Sequence, residues 1–588
     1  MGKIIRVLGA LLCLFVATVS AETVTATPAD YQTKVAALQP GDTLILQGGD
    51  YLGLSLRDVL GTSSNWITIR GAEGTPPARI TSNSNINAVE VRDGCAYLAI
   101  ENLVIDGATN GDSFGVNAAG GTIHNIRVED CTFTGFSGHQ QQVAISTKVP
   151  TWGWIIRGNT VVDAGTGIYF GNSDGRYAFV GGLIENNLFL DCKGYNMQIK
   201  HQNQRELVAG MPTDRQVTII RHNVFIKGSL PNEDGARPNL LVGPFPNTGV
   251  GSEDMYEIYG NVFFHNYRES LLQAAGRVSI HDNIFMDCKL GGNGDAIYLT
   301  DHNGPLKVAY VYNNTFYDCD RAVYFGDAAD DDHFVTGNLM LVGNTGMGGT
   351  FSNASDNIED TTANAGLYVN NPTLTWGQMD FYPKAGMVEG TALDLSLFTG
   401  HTDYAQDFNG TSKGARTYRG AYAGSGTNPG WQIDKAIKGE VGSTPPPPPP
   451  PPPPGDDTTP PTGTVSIEGG AGTTPDLTVD LTLSADDASG LAMMRFSNDG
   501  STWSTAETYA TSKPSWELFN FGGDTTEGEK TVYVQFQDTA GNWSSSQIAA
   551  SITYEIQEGG SPTRSTGAFG WLGLVLLALP LLVRRREP

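Results

Sequence analysis

The chain has 588 residues, enough for roughly two to four domains. It carries 62 aspartate and glutamate residues against 36 lysine and arginine residues, and its net charge of −26 disfavours nucleic acid as a partner because the phosphates would be repelled. The 73 glycines and 31 prolines favour a β-rich, turn-dense protein over a helical one. Six cysteines are too few for a disulfide framework in a chain of this length.

The two ends carry targeting patterns. Residues 1–21 have the features of a secretory signal peptide, since Lys3 and Arg6 precede a short apolar run and small residues close the segment. At the other end, a glycine pair, an apolar run over 567–583 and three arginines resemble the GlyGly-CTERM type of bacterial sorting signal. This resemblance of the tail over 557–588 implies an exported protein at the bacterial cell surface, in the outer membrane or released outside the cell. We expect membrane contact only through that tail.

An unbroken proline run over 445–454 lies within a linker over 441–461. Polyproline II rises about 3.1 Å per residue, so the run predicts a stiff spacer of about 30 Å. Beyond the linker, residues 462–556 alternate apolar and polar positions in short runs that are separated by turn sequences. This pattern predicts a small antiparallel β-sandwich.

The small domain resembles the Ig-like modules that are appended to secreted bacterial enzymes, on the segments 494–500 and 538–544. Two interpretations of Trp503, Trp516 and Trp543 stay open. They fit a sugar-binding platform, and they also fit the core of a module that acts as a spacer.

The large domain over 22–440 contains a repeated five-residue kernel. The position two residues after the first is always apolar, from Val104 to Met340, and successive copies are 22 to 38 residues apart. The copies begin at Asn102, Cys131, Asn159, Asn187, Asn223, Asn261, Asn283, Asn314 and Asn338. An asparagine at the same bend of each coil can hydrogen-bond to its neighbours above and below, while the apolar residue stacks inside.

The kernel therefore predicts a right-handed parallel β-helix. A β-propeller is the main alternative, but it needs four strands in each unit of about 40 residues, and the kernels leave too little room for them. Residues 29–38 predict a short amphipathic helix that caps the open end of the coil.

Cys192, Cys288 and Cys319 each follow the first residue of their copy by five positions. Equivalent positions on different coils predict a buried stack rather than a metal site, for which the chain has no close Cys-x-x-Cys pair. Since Cys288 and Cys319 lie on consecutive copies, a disulfide between them stays open in an exported chain.

The segments 40–46, 49–51 and 66–71, together with the asparagine kernel, resemble the pectate-lyase-like β-helix superfamily. The branch that contains alginate lyases and chondroitinase B is the most similar, and the resemblance spans 22–440. It implies an all-β chain, with a right-handed parallel β-helix followed by the small Ig-like sandwich. It also implies lytic cleavage of an acidic polysaccharide by β-elimination.

The strands that precede successive kernels can be aligned, and their alternation predicts an outward row of side chains along the coil. The outward residues are Tyr169, Gln198, Lys200, Gln273, Tyr298 and Tyr324. Aromatic rings stack on sugar faces and amides bond to hydroxyls, so the row is typical of a polysaccharide groove. Tyrosine is also a common strand former, which offers a purely structural reason for the same residues.

β-Elimination of a uronate needs a cation that neutralises the carboxylate and a base that removes the C5 proton. The resemblance implies that Lys200 is the base, with His201 beside it, and that Arg205, Arg221 or Arg237 is the cation. Related enzymes carry acidic Ca²⁺ ligands where this chain has Asn196 and Gln198, so Ca²⁺ stays open and no metal ligand is assigned. Lys200 and His201 also fit a solvent-exposed strand end and loop that have no catalytic role.

Two other functions stay open. A glycoside hydrolase would use carboxylates across the groove, with candidates at strand ends. These candidates are Glu269, Asp295, Asp301 and Asp327. A non-catalytic adhesin would bind polysaccharide on the tyrosine row and use the proline spacer as a stalk. In each case we expect a monomer, and an acidic polysaccharide could approach this acidic chain only at a locally basic groove.

Overall fold

The computed structural model describes residues 21–439 and 459–555, except for 75, 84–85, 109–112, 229–236, 267, 290–293, 488–489, 539–540 and 545–547. The chain forms two compact units, Met1–Gly455 and Asp456–Pro588. The predicted signal peptide over 1–21, apart from its last residue, lies outside the described residues, and so do the proline run and the apolar tail. Within the described ranges, no helix has both the length and the apolar character needed to cross a membrane.

The first unit is a right-handed parallel β-helix, which confirms the predicted fold. Its described strands form three long parallel sheets. The ladder sheet, which holds the asparagine kernels, consists of Gly49–Leu52, Ala78–Thr81, Val104–Asp106, Thr132–Thr134, Thr160–Val162, Leu188–Leu190, Val224–Ile226, Val262–Phe264, Ile284–Cys288, Thr315–Cys319, Leu339–Val342 and Ile358–Thr361.

The groove sheet, which carries the predicted outward row, lies next along each coil. It consists of Leu54–Arg57, Val89–Arg92, Val116–Ala119, Val143–Thr147, Thr166–Phe170, Met197–Ile199, Leu240–Val242, Leu272–Ala274, Asp295–Leu299, Arg321–Phe325 and Thr345–Gly349.

The long sheet completes each coil. It consists of Thr23–Ala26, Thr43–Leu46, Ile67–Gly71, Ala96–Glu101, Ile123–Glu129, Thr151–Trp152, Ile155–Arg157, Phe179–Val180, Leu183–Glu185, Val217–Arg221, Met255–Tyr259, Gly276–His281, Leu306–Tyr312, Asp332–Thr336 and Ala354–Ser355.

A buried asparagine ladder joins the coils, as the kernel predicts. In seven successive steps from Asn159 to Asn357, each amide nitrogen donates to the amide oxygen of the next coil at 2.9–3.1 Å. Beside the ladder, aromatic rings stack with centroids 4.7–5.1 Å apart. These rings belong to Phe189, Phe225, Phe263, Phe285 and Phe316. Asn357, which forms the last step of the ladder, was not identified from the sequence.

The first copy of the kernel was predicted one residue too early. The register pairs Ile105, and not Val104, with the buried Phe133. Asn102 takes the left-handed conformation (φ 50°) that precedes the kernel, and its amide donates to Gly71 O at 3.2 Å instead of joining the ladder. The copy therefore begins at Leu103, and the asparagine at its edge made the wrong register look correct.

The cysteine prediction is confirmed as packing. Cys192, Cys288 and Cys319 are buried free thiols, and Cys288 is the register partner of Cys319 on the next coil. The Cys288 thiol donates to the carbonyl oxygens of Glu269 and Asp295 at 3.3 and 3.4 Å.

The N-terminal helix is shorter than predicted and covers Tyr31–Val35. Its Tyr31 ring packs edge-on against Tyr51 at 5.1 Å, and the Tyr31 hydroxyl donates to Gly53 O at 2.8 Å. These contacts fix the helix to the first coil of the β-helix.

The segment after the last coil covers other faces of the β-helix. It includes the 3₁₀ helices Thr362–Asn364 and Ser396–Phe398, the helix Ala365–Tyr368 and the hairpin Val369–Asn371 with Asp380–Pro383. Its apolar residues pack on outward residues of the ladder sheet, and its Phe398 stacks on Tyr312 of the long sheet at 4.0 Å. On the groove sheet, by contrast, Tyr169, Tyr298 and Tyr324 stay half-exposed.

The second unit contains two small sheets, as predicted for a sandwich. One is antiparallel and consists of Thr462–Ile467, Thr478–Asp486 and Ser512–Glu517, and the helix Glu468–Gly470 follows its first strand. The other consists of Thr473–Thr474, Leu491–Ser497, Glu507–Thr508, Gly528–Asp538 and Ala549–Tyr554.

The three tryptophans of this unit differ in burial. Trp516 is buried in the core. Trp503 and Trp543 are half-buried and flank the Arg495 guanidinium, whose carbon lies 5.1 and 4.3 Å from their ring centroids. The specific Ig-like assignment stays a prediction.

We predict that Asn223→Ala destabilises the β-helix. The substitution removes the amide that donates to Ile184 O and Asn261 Oδ1, and each buried group that loses its partner costs about 1–3 kcal/mol. Denaturant unfolding should show this loss, whereas Asn344→Ala, at an exposed position, should leave the free energy of unfolding within about 0.5 kcal/mol of the original protein. Equal stability of both variants would contradict a stabilising ladder.

Candidate functional site

The predicted outward row is present on the groove sheet. The register runs from Tyr169 to Gln198, Leu241, Gln273, Tyr298 and Tyr324 on six successive coils. Gln198 and Tyr298 are three strand spacings apart, about 14 Å. The apolar Leu241 interrupts the row, and the Tyr298 and Tyr324 rings stack at 5.8 Å. Gln198 and Leu241 are buried, so the partly exposed part of the row consists of Tyr169 on one side of them and Gln273, Tyr298 and Tyr324 on the other.

Three basic residues, Lys200, His201 and His302, form a cluster beside the groove sheet. Lys200 directly follows the strand Met197–Ile199, and its side chain is half-buried. Burial lowers the pKa of Lys200, and the positive charge of Arg237 lowers it further. Among the described residues, Lys200 has no acidic partner within ion-pair distance.

His201 and His302 belong to the same cluster. Burial lowers the pKa of His201, and the charges of Lys200 and His302 add to the effect. Burial and Lys200 also lower the pKa of His302. Both pKa values therefore lie below the ordinary histidine value of 6.5, which favours the neutral imidazoles at neutral pH. His302 was not identified from the sequence. It lies in the loop after the groove-sheet strand Asp295–Leu299, three coils beyond the strand that precedes Lys200.

The backbone around Arg237 is held by buried side chains. Its carbonyl oxygen accepts hydrogen bonds from Lys227 Nζ at 2.5 Å and Asn266 Nδ2 at 2.9 Å. The Arg237 guanidinium lies 5.8 Å from the Tyr195 ring centroid. Burial lowers the pKa of Lys227 to about 7, so this lysine can hold the loop without a full charge near neutral pH. Neither Lys227 nor Tyr195 was identified from the sequence.

Two of the predicted arginines are placed away from the groove. The Arg205 side chain is fully buried, forms an ion pair with Asp254 and donates to Pro212 O. Arg221 lies on the long sheet, where its Nε donates to Glu185 at 2.7 Å. The assignment of either residue as the carboxylate-binding cation is therefore withdrawn, because their charges are already neutralised by buried carboxylates. Arg237 is the predicted arginine that lies beside Lys200.

The carboxylates proposed for a hydrolase take part in local structure. Asp295 accepts two hydrogen bonds from Arg321, at 2.6 and 3.2 Å. Asp327 accepts from Thr300 Oγ1 and from the backbone amide of Asp301, and Asp301 in turn accepts from Leu306 N. Glu269 lies close enough to Tyr195 and Lys227 to affect their pKa. These contacts leave no matched carboxylate pair across the groove among the described side chains.

The donor set does not fit Ca²⁺. Asn196 is buried and its amide donates to Ile226 O at 3.0 Å, and Gln198 carries no charge. In the part of the chain that the structure describes, no group of three or more His, Cys, Asp or Glu side chains is arranged around a common point. Ca²⁺ prefers several carboxylate oxygens, which this donor set does not supply.

Another cation of the groove was not identified from the sequence. Lys148 directly follows the strand Val143–Thr147, and its ammonium lies 5.2 Å from the Tyr169 ring centroid. Extending the strand alignment by one coil towards the N-terminus would have placed Lys148 at the same register position as Lys200.

No protein-family model matches the chain, and no curated protein matches it in sequence. Several solved structures are similar in fold. An alginate lyase from Paenibacillus sp. is 16% identical with a TM-score of 0.31, and the match covers 58% of this chain and 99% of that one. A PL6 family alginate lyase is 14% identical with a TM-score of 0.37, covering 72% and 58% of the two chains. A pectate lyase is 12% identical with a TM-score of 0.31, covering 72% and 98%. The likeness concerns the backbone fold alone.

We predict that Arg237→Gln raises the pKa of Lys200. The substitution removes one of the two causes that lower this pKa, while burial remains. NMR titration of ¹³C-methylated lysines should show the Lys200 signal titrating at higher pH in the variant. Arg176→Gln is the matched control, because Arg176 is an exposed arginine that packs on Tyr177. An unchanged Lys200 titration in Arg237→Gln would show that the two side chains do not interact.

Proposed function

We propose that the protein is a polysaccharide lyase that cleaves a uronic-acid polysaccharide by β-elimination. The observation that carries the proposal is the placement of Lys200 directly after a groove-sheet strand, with the charge of Arg237 near enough to lower its pKa. Lys200 combines a lowered pKa with the absence of an acidic partner among the described residues. A general base and a carboxylate-binding cation are the two groups that this reaction requires.

The reaction begins at C5 of a uronate. Arg237 neutralises the carboxylate, which makes the C5 proton more acidic, and the neutral amine of Lys200 accepts that proton. The electrons of the C5–H bond form the C4–C5 double bond, and the bond from C4 to the glycosidic oxygen breaks. The departing oxygen then takes up a proton.

We assign to Tyr195 the role of donating a proton to the departing oxygen. Burial raises its pKa, so the hydroxyl keeps its proton at neutral pH. Arg237 and Glu269 both influence this pKa, and so does Gln198 of the outward row. Tyr195 thus lies beside both the proposed cation and the outward row.

The groove also explains how an acidic protein can bind an anionic substrate. The chain as a whole carries a charge of −26, but Lys148 and Lys200 follow strands of the groove sheet, and the charge of Arg237 reaches Lys200. Export, expected from the signal-peptide pattern over 1–21, would bring this groove to extracellular polysaccharides.

Lys200→Ala should abolish product formation. Loss of a general base lowers the rate by about 10²–10⁴-fold. Alginate, pectate, chondroitin and neutral glycans should be tested, with ultraviolet absorbance of the unsaturated uronate as the readout. Lys307→Ala is the control, because this lysine pairs with Asp330 on the long sheet and should keep full activity. An unchanged rate in Lys200→Ala would reject the assignment, and binding without any product would favour the adhesin.

The rate should rise with pH. Lys200 must be neutral to accept a proton, so kcat/KM increases as pH rises through its pKa, and the inflection should lie below the ordinary lysine value of 10.5. A pH–rate profile on the preferred substrate measures this inflection. A rate that falls as pH rises through that region would exclude a lysine base.

A further inference from the structure

The groove sheet carries a second cation that the proposed reaction does not use. The register pairs Thr147 with Phe170 and Phe170 with Ile199. The next residues, Lys148, Gly171 and Lys200, therefore occupy one position on three successive coils. Lys148 and Lys200 are two strand spacings apart, about 10 Å. The position between them is a glycine with φ +82°, so no side chain separates the two lysines along this line.

The Lys148 ammonium lies between two aromatic rings. It is 5.2 Å from the ring centroid of Phe114 on the preceding coil and 5.2 Å from that of Tyr169 on the following coil. The side chain is half-buried, and burial lowers its pKa. The rings hold the ammonium by cation–π attraction but accept none of its three N–H donors.

Lys148 has no carboxylate partner among the described residues, although the chain contains 62 acidic residues. Other lysines of this unit do have one. Lys289 pairs with Asp318, and Lys413 pairs with Asp282. A half-buried ammonium in such an acidic chain would gain from a partner, and the partner that the groove leaves room for is a bound anion.

Ser146 provides an independent indication of a ligand at the same place. It belongs to the outward row, since its register partner is Tyr169. Its side chain is completely buried, and its Oγ has no hydrogen-bond partner in the described part of the chain. A buried hydroxyl without a partner is costly, and an oxygen of a bound sugar would satisfy it once the sugar moves the covering side chains aside.

We propose that Lys148, Ser146, Phe114 and Tyr169 form a second uronate subsite. Lys148 binds the carboxylate of a sugar that lies about 10 Å along the groove from the sugar at Lys200, and Tyr169 supplies an aromatic face between the two. The inference rests on the proposed lyase function for its substrate class. It adds that the polymer lies along the helix axis and that Lys148 fixes its register relative to the base.

The test compares Lys148→Met, which keeps an apolar stem between the rings and removes the charge, with Lys148→Arg, which restores the charge. Affinity for the preferred polyuronate is measured by calorimetry, and kcat and KM are measured on the polymer and on a short oligosaccharide that reaches only the Lys200 position. Lys148→Met should raise Kd and KM for the polymer about tenfold, as expected for one lost charge-assisted hydrogen bond. The value of kcat, the kinetics on the short substrate and the Lys148→Arg variant should stay close to the original protein.

The outcomes separate the subsite from the lyase activity. If the original protein binds polyuronate without releasing product, the lyase function fails, and the subsite is still judged by the Kd of Lys148→Met. Equal affinity of Lys148→Met and the original protein overturns the subsite, whatever Lys200→Ala does. An equal loss of affinity for neutral glycans also overturns it, because the role would then be packing. Failure of the original protein to bind any polyuronate overturns both. If Lys148→Met does not fold, Lys148→Gln replaces it.

Discussion

The hydrogen bonding between successive coils is the constraint on which the rest of the structure depends. Each buried asparagine, such as Asn223, is satisfied only when the next coil lies one strand spacing away and in the same register. Insertions can lengthen the loops between kernels because they extend away from the core, and the kernel itself cannot shift. The groove follows from this constraint, since residues that are far apart in sequence align in one row from Tyr169 to Tyr324.

Ion pairing decides which cations of an acidic protein can meet an anionic ligand. Arg205 and Arg221 form buried ion pairs with Asp254 and Glu185. Their charges are therefore neutralised by other parts of the same chain. Lys148 and Lys200 stand on the groove sheet without carboxylate partners among the described residues. For an anionic ligand, these two lysines matter more than the total charge of the chain.

The C-terminal segment of the first unit contributes by covering the other faces. Lys438 is buried and donates to Gly260 O at 2.9 Å and Phe408 O at 2.7 Å. Lys413 forms a buried ion pair with Asp282 at 2.7 Å. Removing one partner from such a buried pair is costly, so these contacts tie the segment firmly to the β-helix. The tyrosines of the groove sheet are left half-exposed, and the groove is available to a long polymer.

The sequence by itself determined the parallel β-helix and the outward row, because both depend on short-range periodicity that repeats along the chain. It misplaced the first kernel by one residue. The sequence pattern starts this copy at Asn102, whereas the strand register starts it at Leu103. It also favoured Arg205 and Arg221 alongside Arg237, because the spacing of charged residues along a chain does not reveal which carboxylate each one meets. Only the tertiary structure decided that Arg237 stays beside Lys200 and that Lys148 lies between two rings. The physical reason is that a side chain's charge, burial and partners are set by neighbours from other coils, tens of residues away in sequence.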